Sequence, residues 1–343
     1  MGLFDWWKRS EQQLDAGAVS EALIREATDY VVKVTNPRLT LVSRYRERLA
    51  PAVKAAIAHL RGVATTLPVP REASAASWAS DPSIHAFFAV ADDVPRLFSR
   101  SQEVQAYFAR ESAAPDVCAV LGMALVKQKG LGMAMQGEVL RRDVPQTTFS
   151  FTDHKMRVLA ASEPELRREI GRRVLDQLAL QVLARAGEAQ SRRQSLEHER
   201  ALLRTRLRIL QQQGTGLGSM AGGGDAAREQ DLPGVEARLE ENERELAALG
   251  VGADALEQAL DDLVDVLSHP GREIEFASNR VLLTPMNVLV DGEVTEPGRE
   301  VEFQTVQLAG NPASGRAITL VRFSRADLLA GGLRLDDADR LLG

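Results

Sequence analysis

The clearest pattern in the chain is a seven-residue repeat of apolar side chains between residues 163 and 268. One helix of about 50 residues is predicted to run from Glu163 to Gln213, because neither a run of glycine nor an internal proline past its first turn interrupts it. A second arm follows the glycine-rich stretch 214–224. Apolar residues seven apart form the seam of a coiled coil. The seam residues predicted to bind a partner are Leu196, Leu203, Leu210, Leu239 and Leu246.

The two arms carry opposite charge. Residues 167–212 hold eleven arginines and five acids, whereas residues 225–267 hold three arginines and thirteen acids. Because flanking ion pairs select the partner and orientation in coiled coils, we expect an antiparallel hairpin within one chain. Asn242 occupies a core position of the second arm and is a candidate for setting the register. The alternative is that each arm pairs with another subunit.

A helix break is predicted inside the second arm. Gly250 and Gly252 flank a single valine, and Asp254 and Glu257 follow at the spacing of a capping box.

Residues 1–112 are predicted to be a helical region. Apolar residues at three- and four-residue spacing predict one helix over residues 17–34 and another over residues 38–62. Pro51 lies inside the second helix and should kink or break it. A further helix should start at Asp81, whose side chain can cap the residues that follow.

Residues 113–162 and 269–343 are predicted to form an α+β body. Alternating apolar residues on both sides of Asp153–His154 predict a hairpin with its turn there, and several short strands follow residue 272. A leucine-rich helix should close the chain at 327–342. The fold class is therefore α+β and mainly helical, with a small mixed or antiparallel sheet interrupted by the inserted coiled-coil hairpin of residues 163–268.

Composition limits the setting in which the protein works. The chain has 343 residues and a formal net charge of -6, so nucleic acid is not an expected partner. Cys118 is the single cysteine, which excludes an intrachain disulfide and fits the cytoplasm. No apolar run approaches the roughly 20 residues of a membrane span.

Trp6 and Trp7 are a further pair of candidate partner-binding residues. They stand beside Lys8 and Arg9 in a short amphipathic segment. Indoles and basic groups together suit a membrane surface or a docking site, but one short turn buries little area. We therefore expect the two indoles to pack on protein, with membrane binding as the less favoured alternative.

No catalytic, cofactor or metal site is predicted. The glycine-rich stretch follows a helix and contains no lysine, unlike a phosphate-binding loop. The five histidines show no metal-ligand spacing. Asp153 and His154, with Arg142 nearby in sequence, form the one pair that suggests acid–base chemistry, and turn formation explains them more simply.

Two functions remain after these exclusions. The first is a non-enzymatic cytoplasmic scaffold or adaptor that binds a protein partner, or itself, through the coiled-coil arm. The second is an enzyme or small-ligand-binding module in the sheet body, with the arm serving oligomerisation. A deep polar pocket at His154, Asp153 or Arg142 would favour the second function, whereas a flat sheet with an exposed apolar tip of the arm would favour the first.

Overall fold

A computed structural model describes residues 20–136, 139–213, 225–250, 252–290 and 297–329. These residues form two compact units. Unit 1 contains Ile57–Asp176 and the segment that begins at Pro270, and unit 2 contains the segment that ends at Ala56 and Gln177–His269. The boundaries between the units fall within the predicted 1–112 helical region and within the predicted 163–268 insertion, and the predicted domains stay a prediction.

Three predicted features lie outside the described residues. They are the Trp6–Trp7 pair, the glycine-rich stretch 214–224, and all but the first residues of the predicted helix 327–342.

Ten α-helices are described. They are α1 (Glu21–Thr35), α2 (Tyr45–Thr66), α3 (Ala75–Ser80), α4 (Pro82–Phe87), α5 (Asp93–Arg100), α6 (Gln102–Arg110), α7 (Glu163–Gln213), α8 (Asp225–Ala248), α9 (Ala253–Ser268) and α10 (Pro270–Glu273). Short 3-10 segments cover Pro37–Leu41 and Arg325–Asp327. The predicted 51-residue helix α7 is confirmed at both ends.

Six strands make one sheet in unit 1. They are β1 (Arg71–Glu72), β2 (Asp116–Gln136), β3 (Val139–Ala160), β4 (Ile274–Leu283), β5 (Arg299–Leu308) and β6 (Asn311–Ser324). The strand order is β3-β2-β6-β5-β4, and all of these neighbours are antiparallel. The two-residue β1 pairs parallel to β6 at Val321 and Arg322. The α+β fold with a long helix between its strands is confirmed.

The helix boundaries near the start of the chain follow local capping chemistry. Ser20 caps α1, its hydroxyl accepting a hydrogen bond from the Leu23 amide at 3.3 Å, and the helix ends before Asn36. Asp81 caps α4 by accepting from the amides of Ser83 and Ile84. The predicted helix start at Asp81 is therefore confirmed.

The predicted break at Pro51 is wrong. Helix α2 begins at Tyr45 and continues through Pro51 to Thr66. A proline removes one backbone hydrogen bond from a helix interior. Leu49, Ala52 and Val53 are buried on either side of it, so apolar packing offsets that loss.

The predicted hairpin turn at Asp153–His154 is also wrong, because both residues lie inside the single strand β3. The register between β2 and β3 shifts between Gly122 and Ala124, where the partners change from Lys155 to Thr152. Two residues of β3 therefore stand opposite one residue of β2, which is the arrangement of a β-bulge. Asp153 has φ of 47° there. Asp tolerates this left-handed conformation better than most residues, which explains why the pair resembles a turn in sequence.

The main core of unit 1 lies between helices α3 to α6 and one face of the sheet. Alternate residues of β2 and β6 point into it, as the two-residue period of a strand requires. At its centre the rings of Phe98 and Phe323 stack with centroids 4.4 Å apart, and both side chains are fully buried. The β2 and β6 residues in this core are Val117, Ala119, Leu121, Met123, Ala317, Val321 and Phe323.

Arg167, in the first turns of α7, binds carbonyl groups at the C-terminal end of α2. Its guanidinium donates hydrogen bonds to the carbonyls of Ala64, Leu67 at 2.9 Å and Pro68 at 3.0 Å. Glu163 accepts from the same guanidinium at 2.7 Å. A cation suits the C-terminal carbonyls of a helix, so this contact stabilises both helix ends.

We predict that Phe98→Ala lowers the free energy of unfolding of unit 1 by about 3–5 kcal/mol, because it leaves a cavity beside Phe323. Urea denaturation followed by circular dichroism measures this loss. Met286→Ala is the matched control, since Met286 is 78% exposed and its loss should change stability by less than about 0.5 kcal/mol. Equal effects of the two substitutions would contradict this account of the core.

Candidate functional site

Helices α7 and α8 lie side by side and antiparallel in unit 2. Arg204 pairs with Glu243 at 2.7 Å, and Arg192 pairs with Glu245 at 3.0 Å. Arg185, earlier on α7, pairs at 3.1 Å with Asp265, which lies on α9. Partner numbers rise as α7 numbers fall, so the two arms run in opposite directions within one chain. These three ion pairs connect the basic arm to the acidic arm, as the charge pattern predicts.

These ion pairs are solvent-exposed, and each adds little to stability. Their side chains are 38% to 65% exposed. The hydrogen bond from Arg185 holds the pKa of the Asp265 carboxyl below its ordinary value. The pairs therefore favour one partner and one direction, while apolar burial supplies most of the stability.

The predicted seam residues occupy different depths in the helix pair. Leu196 and Leu203 are buried, whereas Leu210, Leu239 and Leu246 are half-buried. Their predicted role in binding an outside partner stays a prediction. Their burial means that the surface they offer such a partner in this structure is small.

Asn242 is the most informative polar residue of the seam. It is 4% exposed, and its amide nitrogen donates to the Leu196 carbonyl at 3.0 Å and to the Glu199 carboxylate at 3.4 Å. Its side-chain oxygen is buried without a hydrogen-bond partner. The Glu199 contact is specific to this register, because a shift by one heptad would place Arg192 or Arg206 opposite Asn242, whereas another main-chain carbonyl would replace that of Leu196.

The break between α8 and α9 is confirmed, but the predicted capping box is wrong. α8 ends at Ala248 and α9 begins at Ala253, whose N-cap Gly252 makes no side-chain capping bond. Glu257 instead accepts a hydrogen bond from Arg48 on α2. Gly250 has φ of 66°, which favours glycine. Arg193 donates to the carbonyls of Leu249 and Gly250, so α7 stabilises the end of α8.

The opposite side of α7 carries a second surface, which we call the outer face. Successive residues of an α-helix are rotated by 100° about its axis. Among residues 180–209, those that lie within 60° of one line along α7 are all exposed, and none of them is Asp, Glu, Lys or Arg. This strip is about 44 Å long at 1.5 Å per residue. The outer face consists of Leu180, Leu183, Ala184, Gly187, Ser191, Gln194, Ser195, His198, Ala201, Leu202, Thr205 and Ile209.

Four large apolar side chains stand exposed on the outer face. Leu180 is 55% exposed, Leu183 38%, Leu202 59% and Ile209 49%. The sequence pattern did not single them out, because the seven-residue repeat of the seam on the other side of α7 is stronger. Their signal was the spacing of Leu202 and Ile209, which also lie seven residues apart.

The residues that suggested acid–base chemistry do not converge on one site. Asp153 forms ion pairs with Arg316 and, at 3.0 Å, with Lys155. The half-buried His154 donates from Nε2 to the Phe87 carbonyl at 2.7 Å, as the acceptor there is a carbonyl oxygen. Burial lowers the pKa of His154 from its ordinary value, so its neutral form is favoured. The side chain of Arg142 lies outside the described residues.

The remaining candidate groups are structural. Cys118 is buried on the sheet, and burial raises the pKa of its thiol, which suits a core residue. Within the described ranges, no group of three or more His, Cys, Asp or Glu side chains is placed to hold a metal ion. No helix in this part of the chain is both long and apolar enough to cross a bilayer.

No family model, curated protein or solved structure matches the chain.

Replacing Asn242 tests whether this residue lowers the free energy of unfolding while it helps to fix the register of the helix pair. We predict that Asn242→Leu raises the free energy of unfolding by about 1–2 kcal/mol, because it removes an unsatisfied buried oxygen. Asn242→Asp should lower it by about 2 kcal/mol or more, because it places a buried carboxylate beside Glu199. Thermal and urea denaturation at one fixed protein concentration measure both changes. A leucine variant less stable than the wild type would contradict this role.

Proposed function

We propose that the protein is a non-enzymatic scaffold or adaptor that acts through a coiled-coil arm formed by α7 and α8. The observation that supports this is the outer face, a long uncharged strip left exposed on a helix whose opposite side is already occupied. Four large apolar side chains exposed along one uncharged strip mark a candidate protein-binding site. A helix is the occupant that best fits a straight strip along another helix.

The charges on one flank of the outer face favour a second copy of the same chain as that helix, whereas on the other flank Glu197 of each copy would lie near Glu197 of the other. One flank carries Glu188, Arg192, Glu199 and Arg206 in alternating sign. If two copies of α7 meet antiparallel, Glu188 of each lies near Arg206 of the other, and Arg192 near Glu199, within about one and a half residues along the axis. Opposite charges thus meet along that flank.

Side-chain size agrees with the same arrangement. In this register Leu202 lies opposite Ser191, and Ile209 lies opposite the Leu183–Ala184 pair. Leu202 against the small Ser191 lets the two helices approach closely, and Ile209 against Leu183 and Ala184 buries exposed apolar atoms. The arm then links two copies while other surfaces of each remain free, which is the property that a scaffold needs.

The proposal places the protein in the cytoplasm. A single cysteine that is buried and reduced suits a reducing compartment. Fractionation of cells that express the tagged protein tests this part separately.

The double substitution Leu202→Glu and Ile209→Glu tests the outer face directly. Light scattering coupled to gel filtration should show the wild type as a dimer of a 37.4 kDa chain. The double variant should need at least about a tenfold higher concentration to dimerise, because two apolar side chains of each copy are replaced by carboxylates. Circular dichroism should show that helix content is retained, since both side chains are exposed in the single chain.

The matched control is Ala186→Glu with Gln211→Glu, which adds the same charge to exposed positions of α7 at least 120° from the centre of the outer face. The control should dimerise as the wild type does. A wild type that stays at 37.4 kDa, or a double variant that dimerises as well as the control, would contradict self-association through the outer face.

A further inference from the structure

Unit 1 contains an open cavity of about 420 Å³ between α5, the segment after α4 and the strand β3. Its volume falls in the range of small-molecule sites. It lies in the sheet-bearing unit, whereas the outer face lies entirely in unit 2, so the two candidate surfaces are independent. The lining residues are Phe87, Phe88, Ala89, Asp93, Arg96, Leu97, Arg100, Phe151 and His154.

One wall of the cavity is the half-buried imidazole of His154, which is backed by the buried ring of Phe88. The rings of Phe88 and His154 stack with centroids 4.9 Å apart and planes 17° from parallel. The hydrogen bond from His154 Nε2 to the Phe87 carbonyl holds the imidazole in place. A further hydrogen bond, from Trp78 Nε1 to the Phe88 carbonyl at 2.8 Å, holds the backbone of that wall. Rigid flat walls of this kind favour a planar ligand.

The charged lining residues come from one helix, α5, and their balance is positive. Arg96 lies 3.8 Å from Asp93 and 3.6 Å from Asp92, which is 73% exposed, so its charge is partly compensated. Arg100 lies further along α5, and its guanidinium has no hydrogen bond or ion pair with any residue that the structure describes. A guanidinium at the edge of an apolar cavity is suited to bind a carboxylate.

We propose that this cavity binds a small planar organic anion of the aromatic carboxylate class, with the carboxylate at Arg100 and the ring against the imidazole of His154. Arg96 supplies a second donor. Phe151 and Leu97 complete the apolar lining that excludes water from the ring. The sequence did not reveal this site, because α5 and β3 lie about 50 residues apart and meet only in the folded sheet.

The probe for the test is 2-naphthoate, with the neutral 2-naphthamide as its isostere. A ligand of about 13 non-hydrogen atoms at about 0.3 kcal/mol per atom binds with a dissociation constant near 1 mM. Ligand-observed NMR titration of the full-length protein should give about that value for naphthoate and several-fold weaker binding for the amide. Arg100→Gln should weaken naphthoate binding about three- to tenfold and leave the amide unchanged.

Two matched pairs of variants distinguish binding at this site from nonspecific binding of the ligand. Arg110→Gln removes an exposed arginine of unit 1 that does not line the cavity, and it should bind naphthoate as the wild type does. Ala89→Trp should block the cavity from its exposed rim, whereas Val90→Trp, one residue outside the lining, should not. The proposal is overturned if naphthoate binds no better than the amide, if its dissociation constant exceeds about 10 mM, or if Arg100→Gln and Arg110→Gln behave alike.

Discussion

A helix of 51 residues is stable in water only when one side of it is buried along much of its length, and this requirement shapes unit 2. α7 meets it by packing against α8, which returns antiparallel beside it. Because the buried side is a narrow strip, the opposite side of α7 stays exposed. The outer face is therefore a consequence of how the long helix is stabilised, and its lack of charge is what requires a functional explanation.

The polar contacts of the helix pair select one arrangement among several that apolar burial alone would allow. Leucine seams tolerate sliding by whole heptads. Asn242 reaches the Glu199 carboxylate at one register only, and the Arg204–Glu243 and Arg192–Glu245 pairs favour the antiparallel direction. Alignment of the outer face relative to the rest of the arm thus depends on a few polar side chains that add little net stability.

The sequence pattern predicted the structure correctly where a signal that extends over many residues is compatible with only one arrangement. The ends of α7, the antiparallel direction of its partner and the break near Gly250 follow from heptads, charge and glycine. The pattern failed where local signals were ambiguous: Asp153–His154 has the composition of a turn but forms a bulge, and Pro51 sits in a helix that its buried neighbours sustain. The cavity could not be predicted, since it depends on how α5 packs against β3.

The most direct test of the account is a distance between the two arms in solution. Spin labels at Glu197→Cys and Glu241→Cys, in a chain with Cys118→Ser, report it by pulsed electron resonance. In an excess of unlabelled protein, where labels on two associated copies seldom meet, helices packed 8–10 Å apart should give one narrow distribution below about 25 Å. The distribution persists in that mixture because both labels belong to one chain. A distribution beyond about 40 Å, or a short distance that disappears on mixing, would contradict an antiparallel pair closed within one chain.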